Sequence, residues 1–261
     1  MKTAALTQER RTTHPFFSLR WLGTTVLVLL AAAVMVRLGL WQLDRLEQRR
    51  ARNALILQNA SAPVLNLNNA LLQGETRWEE KAFRLVEVSG VYLYEEEVLL
   101  LNQVWEGQPG YHLITPLHIT GTDTVILVDR GWIPLNQGDE NQRAAYRLPG
   151  EARLQGRLMP SQMEPRWGGG GDPVLPEGGR LTAWKWLNVE RISRQISGRL
   201  LPVYMLALPD DSTSALPYRA DTSIEVSEGS HLSYALQWFS FALILLAGYP
   251  FYVRKHLSES A

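Results

Sequence analysis

Residues 21–36, WLGTTVLVLLAAAVMV, and residues 234–253, YALQWFSFALILLAGYPFYV, decide how the rest of the chain is read. Neither contains a charged residue, and beyond Arg37 the first resumes as LGLWQL to Leu43. At about 1.5 Å of rise per residue, helices over these stretches are about 30–35 Å long, the thickness of a hydrocarbon core. Backbone polar groups in lipid must pair within their own segment, so both stretches are expected as helices. The expectation is a membrane protein of the α+β class. Transmembrane helices over 21–43 and 233–253 flank a mainly antiparallel β domain over 44–232, with tails at 1–20 and 254–261.

Basic residues beside the spans set the orientation. Arg254, Lys255 and His256 follow the second span, and Glu225 and Glu228 precede it, which places its C-terminal end in the cytoplasm. The first span is ambiguous by itself: Lys2, Arg10, Arg11 and Arg20 precede it, and Arg45, Arg49, Arg50 and Arg52 follow. Two spans put both termini on one side, so the second decides. The domain is therefore expected outside the cytoplasm, in the periplasm beside a bacterial inner membrane. A cleaved signal peptide is the rival reading of the first span, with Ala31, Ala32 and Ala33 as its small residues. Against cleavage, the apolar pattern continues past the alanines, and Trp41 stands where an interfacial anchor belongs.

Basic and acidic residues balance at 26 each, so no electrostatic footprint for nucleic acid exists. The absence of cysteine excludes disulfides, thiolate nucleophiles, iron–sulfur ligation and cysteine-based metal sites. After Leu43 helical spacing continues, and the first helix is expected to run to about Asn59 and to end before Pro63. Strand-like alternation follows over 83–94, 98–105, 111–119, 125–133, 151–159 and 202–208. Residues 188–197 read as one helix, with Asn188 as N-cap and Gly198 just past its end. Short connections without a βαβ pattern predict an antiparallel sheet or a barrel-like domain. The stretch WGGGGDPVLPEGG at 167–179 lacks the Lys-Ser/Thr of a phosphate loop and reads as a surface loop.

Four strings stand out in order: LGLWQLDRL at 38–46, GYHLITPL at 110–117, VDRGWIP at 128–134 and HLSYALQWFSFA at 231–242. Together, bracketed by the two spans, they resemble the Surfeit-locus family of cytochrome oxidase assembly factors, over about residues 21–255. The resemblance implies an assembly factor rather than an enzyme. Its implied task is assisting haem a insertion into the largest subunit of a haem-copper oxidase. The implied partners are that subunit and its assembly intermediates, haem A synthase, and the lipid bilayer.

His231 is the first candidate ligand, near the outer end of the second span, and a neutral imidazole is a common axial ligand of haem iron. In the family the matching histidine is linked to haem. Tyr234, Ala235, Trp238 and Ala242 follow it on one helical face, and the two alanines leave room for a macrocycle or a neighbouring helix. The plainer role for His231 is a helix cap. Trp41 and Gln42 close the first span, as interfacial residues or as neighbours of His231 where the outer span ends meet. Arg37, inside the first span, either snorkels to the interface or, like Arg45, is a counter-ion for haem propionates. Asp129, Arg130, Gly131 and Trp132 are expected to fix a loop at a strand end, and Glu95, Glu96 and Glu97 to form a solvated acidic turn. His112 and His118 share one strand face too far apart to share a metal. A cofactor-free scaffold is the main alternative function. A copper chaperone fits poorly, because the chain has no cysteine and its methionines are mostly scattered.

Overall fold

Helix α1 runs through Leu19–Ser61, carried past the end of the apolar stretch by the good helix formers of residues 45–52. It stops two residues before Pro63, and the Ser61 hydroxyl bonds back to the carbonyl oxygen of Leu57 at 2.9 Å. The computed structural model describes residues 19–165, 170–175, 179–210, 215–220, 224 and 226–259. Lys2, Arg10, Arg11, Glu225 and much of the glycine-rich stretch at 167–179 lie outside the described residues. The chain divides into two units, residues 1–53 with 227–261, and residues 54–226.

In the first unit α1 runs against the last helix, α5, His231–Glu259. Both are long and apolar enough to cross a membrane. Ala32, Gly39 and Leu46 recur every seven residues on the buried face of α1, and Ala235 and Ala242 do the same on α5. A seven-residue repeat of small or apolar residues is the seam of a left-handed helix pair. At Gly39 the approach is close: a Cβ would stand 2.5–2.9 Å from the Phe239 ring. The pair is antiparallel, with Thr25 Oγ1 2.7 Å from the Tyr249 hydroxyl and Trp21 edge-on to Tyr252. Many side chains turned away from the seam are apolar, among them Leu27, Leu30, Leu243, Ile244 and Phe251. Beyond the seam, Arg50 pairs with Glu228 at 2.8 Å, while Arg49 and Asn53 both donate to the Ser227 carbonyl oxygen.

Among the described residues the second unit is a β domain of eight strands: β1 Leu65–Asn66, β2 Leu85–Tyr92, β3 Val98–Trp105, β4 Gln108–Ile119, β5 Thr124–Pro134, β6 Glu151–Pro160, β7 Ala183–Trp184 and β8 Arg199–Ala207. Three short helices accompany them: α2 Leu67–Leu72, α3 Glu140–Arg143 and α4 Val189–Ser193. The order β2-β6-β8-β5-β4 closes on itself through the β2–β4 pairing, giving a five-stranded barrel. Its interior is filled by Val86 and Val88 of β2, Leu117 of β4, Ile126 and Val128 of β5, Leu158 of β6, and Val203 and Met205 of β8. A second core on the other face of β4 and β5 gathers Leu100, Ile114, Leu127 and Trp184 under Val189 and Ile192 of α4. Strand β5 is thus buried on both faces, which is why VILV reads as a continuous apolar run.

The sheet departs from the antiparallel expectation in three pairings, β1–β2, β3–β7 and β5–β8, which are parallel. Helix α4 is shorter than the expected 188–197, although the Asn188 side chain does cap it by accepting from the Arg191 N–H at 3.0 Å. The chain then turns through Gly198, at φ 93°, into β8, three residues earlier than expected.

Two readings of charged residues are corrected here. Residues 129–132 do not end a strand; they lie inside β5 at a bulge, where the register with β4 shifts between His112 and Ile114. Gly131 has φ 116°, and a Cβ there would stand 2.5 Å from the Tyr218 carbonyl oxygen, so only glycine fits. Glu97 is not solvated: its side chain is 6% exposed, because it leads directly into the buried start of β3.

Candidate functional site

The first helical residue of α5 is His231, so the imidazole stands at the helix start. Its Nδ1 lies 2.9 Å from Oε1 of Gln42 on α1. An amide oxygen accepts, so Nδ1 donates, and in the neutral ring Nε2 offers a lone pair to a metal or a donor. A hydrogen bond of this kind fixes the orientation of the ring and raises its basicity. His231 is half-buried.

The other expected site residues divide around this pair. Ala235 and Ala242 are buried in the seam, so the room they leave is taken by α1. Trp238 is half-buried, edge-on to Phe241, whereas Trp41 and Tyr234 are 46% and 48% exposed. Arg37 is exposed and makes no hydrogen bond or ion pair among the described residues. It stands two residues from both Met35 and Gly39 on the seam, which turns it about 200° away from them. Arg45 is also exposed, donating to Gln48 at 3.0 Å. The geometry therefore joins His231 to Gln42 and leaves Arg37 on another face.

As a haem site the pair supplies one axial imidazole with a free Nε2, which fits the chemistry of ligation. The seam itself has no slot for a flat ring, because Phe239 covers Gly39 and Ala235 is fully buried.

The β domain holds a separate polar centre that the sequence pattern did not reveal. Glu97 accepts from Thr115 Oγ1 at 2.6 Å, Arg143 Nη1 at 2.9 Å and Arg130 Nη1 at 3.2 Å. Arg130 is 1% exposed, donates also to the Tyr146 carbonyl oxygen, and lies over the rings of Tyr92 and Tyr94 at 5.0 and 5.3 Å. Burial pushes the Tyr92 hydroxyl up to about 12 even though Arg130 pulls the other way. Next to Arg130, Asp129 accepts from the Gly131 N–H at 3.0 Å and from His112 Nδ1 at 2.8 Å. Burial disfavours the His112 cation, but the charge and hydrogen bond of Asp129 outweigh it, and the pKa is raised above 6.5. Trp132 stacks on Tyr218, and their backbones exchange two hydrogen bonds of 2.8 and 2.9 Å. These contacts give the 128–134 string its role: Asp129 and Gly131 shape the bulge, Arg130 is an internal cation, and Trp132 fastens the Tyr218 segment. Two cavities of the domain, of about 520 and 550 Å³, have no histidine among their lining residues.

An apolar two-helix hairpin, interrupted in sequence by a small β-barrel, is the class of protein that these two units define. The chain belongs to the SURF1 family, whose family model matches residues 29–243. It is similar to the SURF1-like protein of Rickettsia felis, 27% identical over 90% of this chain and 99% of that one. It is also similar to the SURF1-like proteins of Monosiga brevicollis, 27% identical over 84% and 83% of the two chains, and Drosophila melanogaster, 24% identical over 82% and 72%. Membership implies a cytochrome oxidase assembly factor; the family is one of assembly factors, not of known enzymes.

Proposed function

We propose that the chain is an integral protein of the bacterial inner membrane that assists haem a insertion into the largest subunit of a haem-copper oxidase. On this reading α1 and α5 both span the bilayer, both termini are cytoplasmic, and the β domain is periplasmic. Haem A synthase would be the donor partner. The observation that carries the proposal is the His231–Gln42 hydrogen bond, which leaves Nε2 available at the outer end of the pair. Bound there, haem a would supply an iron with an open coordination site for Nε2. Gln42 holds the ring and its tautomer; Trp41 and Tyr234, both exposed, offer flat apolar surface beside it.

The test is oxidase maturation in a deletion strain carrying His231→Ala or Gln42→Leu. Both variants should insert at normal levels yet lose the a-type haem absorption of the oxidase, Gln42→Leu less severely. Losing an outer-shell partner costs about 10–100-fold in metal affinity. Unchanged oxidase spectra at unchanged protein level would remove haem from the assignment. That outcome leaves the cofactor-free scaffold, which the closed seam at Gly39 and Phe239 favours. The topology is tested separately by reporters fused at Gln137, expected to be active only in the periplasm, and after His256, expected to be active only in the cytoplasm.

A further inference from the structure

Resting on the membrane-hairpin reading, we infer that the two outer faces of the helix pair dock on a second copy of this chain within the bilayer. The α1 face of one copy meets the α5 face of the next, and Arg37 donates to Gln237 and Ser240. Arg37 is an exposed cation on the face of α1 opposite the seam. On α5, Ser233, Gln237 and Ser240 follow at intervals of four and three residues, so they form one stripe. All three are exposed and have no hydrogen bond among the described residues. They stand opposite Ala235 and Ala242, the seam residues of the same helix.

The two features lie at one depth. Gln42 opposes His231 and Thr25 opposes Tyr249. Arg37 is five residues from Gln42 and twelve from Thr25, and the same steps along α5 lead to residues 236 and 237. That level is about 8 Å below His231, inside the hydrocarbon. Every copy inserts in the same orientation, so lateral contact between an α1 face and an α5 face keeps Arg37 level with Gln237 without adjustment. The chemistry is complementary: a guanidinium has five N–H donors and no acceptor, while the glutamine amide oxygen and the serine hydroxyl accept. Arg37 alone faces hydrocarbon or must bend to the interface, and an intramembrane charge is stabilised when polar groups meet it. Pairing two α1 faces would set Arg37 against Arg37, so the contact is head-to-tail, the α1 face of each copy on the α5 face of the next.

The chain has no cysteine, which makes the test direct. Leu30 and Ile244 lie seven residues deeper than Arg37 and Gln237 on the same outer faces, and are 60% and 66% exposed. Full-length Leu30→Cys and Ile244→Cys chains with different tags are co-expressed and treated in native membranes with a short bifunctional thiol reagent. The expected product is a mixed cross-link between the two variants. Its yield should fall about threefold when Arg37→Leu or Gln237→Leu is added, the scale of an interhelical polar contact in lipid. No cross-link between thiols that are shielded from a membrane-impermeant maleimide overturns the inference, and so does a same-variant product at either position. Labelling of both thiols by the impermeant maleimide would instead show that the hairpin does not span, which sinks the reading beneath it.

Discussion

Replacing Glu97 by alanine should be among the most damaging single changes in the β domain. The substitution leaves Arg130, 1% exposed, and Arg143, with a side chain 12% exposed, facing a site without a carboxylate. Removing one partner of a buried ion pair costs about 3–5 kcal/mol, because the remaining charge is stranded. For a domain of 150–250 residues, 1 kcal/mol moves the melting temperature by about 2–4 °C, so the expected fall is about 6–20 °C. The domain over 54–226 falls in this size class. Glu95→Ala is the control: its side chain is 80% exposed, and a surface change of this type stays within about 0.5 kcal/mol. The assay is thermal unfolding of the full chain in detergent, followed by the β signal in circular dichroism. A double variant, Glu97→Ala with Arg130→Met, should recover part of the loss, since an apolar replacement of a buried pair is often nearly neutral. Equal, small shifts for Glu95→Ala and Glu97→Ala would refute the stranded-charge argument.

Two further predictions concern the seam and the His112 pair. Gly39→Leu should lower the melting temperature of the helical signal, by an overpacking cost of about 1–3 kcal/mol, and Phe239→Ala in the same chain should relieve it. An undiminished melt for Gly39→Leu would mean that the helices do not approach there. The folded pKa of His112 is raised, so its ion pair with Asp129 stabilises fully below the unfolded value of 6.5 and weakens as the pH rises through the higher folded value. Wild type should therefore exceed His112→Asn in stability by most below pH 6.5, with the gap narrowing as the pH rises through the folded value. A gap that widens with pH would reverse the assignment.

Periodicity made the scaffold legible where each element depends on its own residues. Strand β3 occupies 98–105 as expected, and α1 ends within two residues of the expected stop, because turn residues and Pro63 act locally. The parallel β5–β8 pairing was not legible, since the apolar runs Val125–Val128 and Val203–Met205 read the same for either strand direction. Nor was Glu97. Its partners Arg130 and Arg143 are 33 and 46 positions away, and an acidic triplet carries no mark of which member turns inward. The same holds for the His231–Gln42 bond, which joins positions 189 apart. Its ends could be named as neighbours only through the hairpin expectation, not through any pattern between them. What the sequence did carry was the spacing of Ala235 and Ala242; the missing element was Gly39 with Phe239, which decides that a helix occupies the room beside them.

The basic residues that follow the first span look different once the helix pair is seen. Counted as free charges, Arg45, Arg49, Arg50 and Arg52 balance those before the span and leave its orientation undetermined. Two of the four are tied to the segment that leads into α5. Arg50 forms a two-pronged pair with Glu228 at 2.8 and 2.9 Å, and Arg49 holds the Ser227 carbonyl oxygen. Asn53, one turn further along α1, reaches the same oxygen. These three side chains bind the segment that leads into α5, so their place on this side of the hairpin follows from its closure. On the proposed reading the basic residues after the apolar part of α5, Arg254 and Lys255, set the orientation. The same closure sets the antiparallel register that brings Gln42 to His231. On the proposed reading, the charges that seem to oppose the topology are the ones that build the outer end of the site.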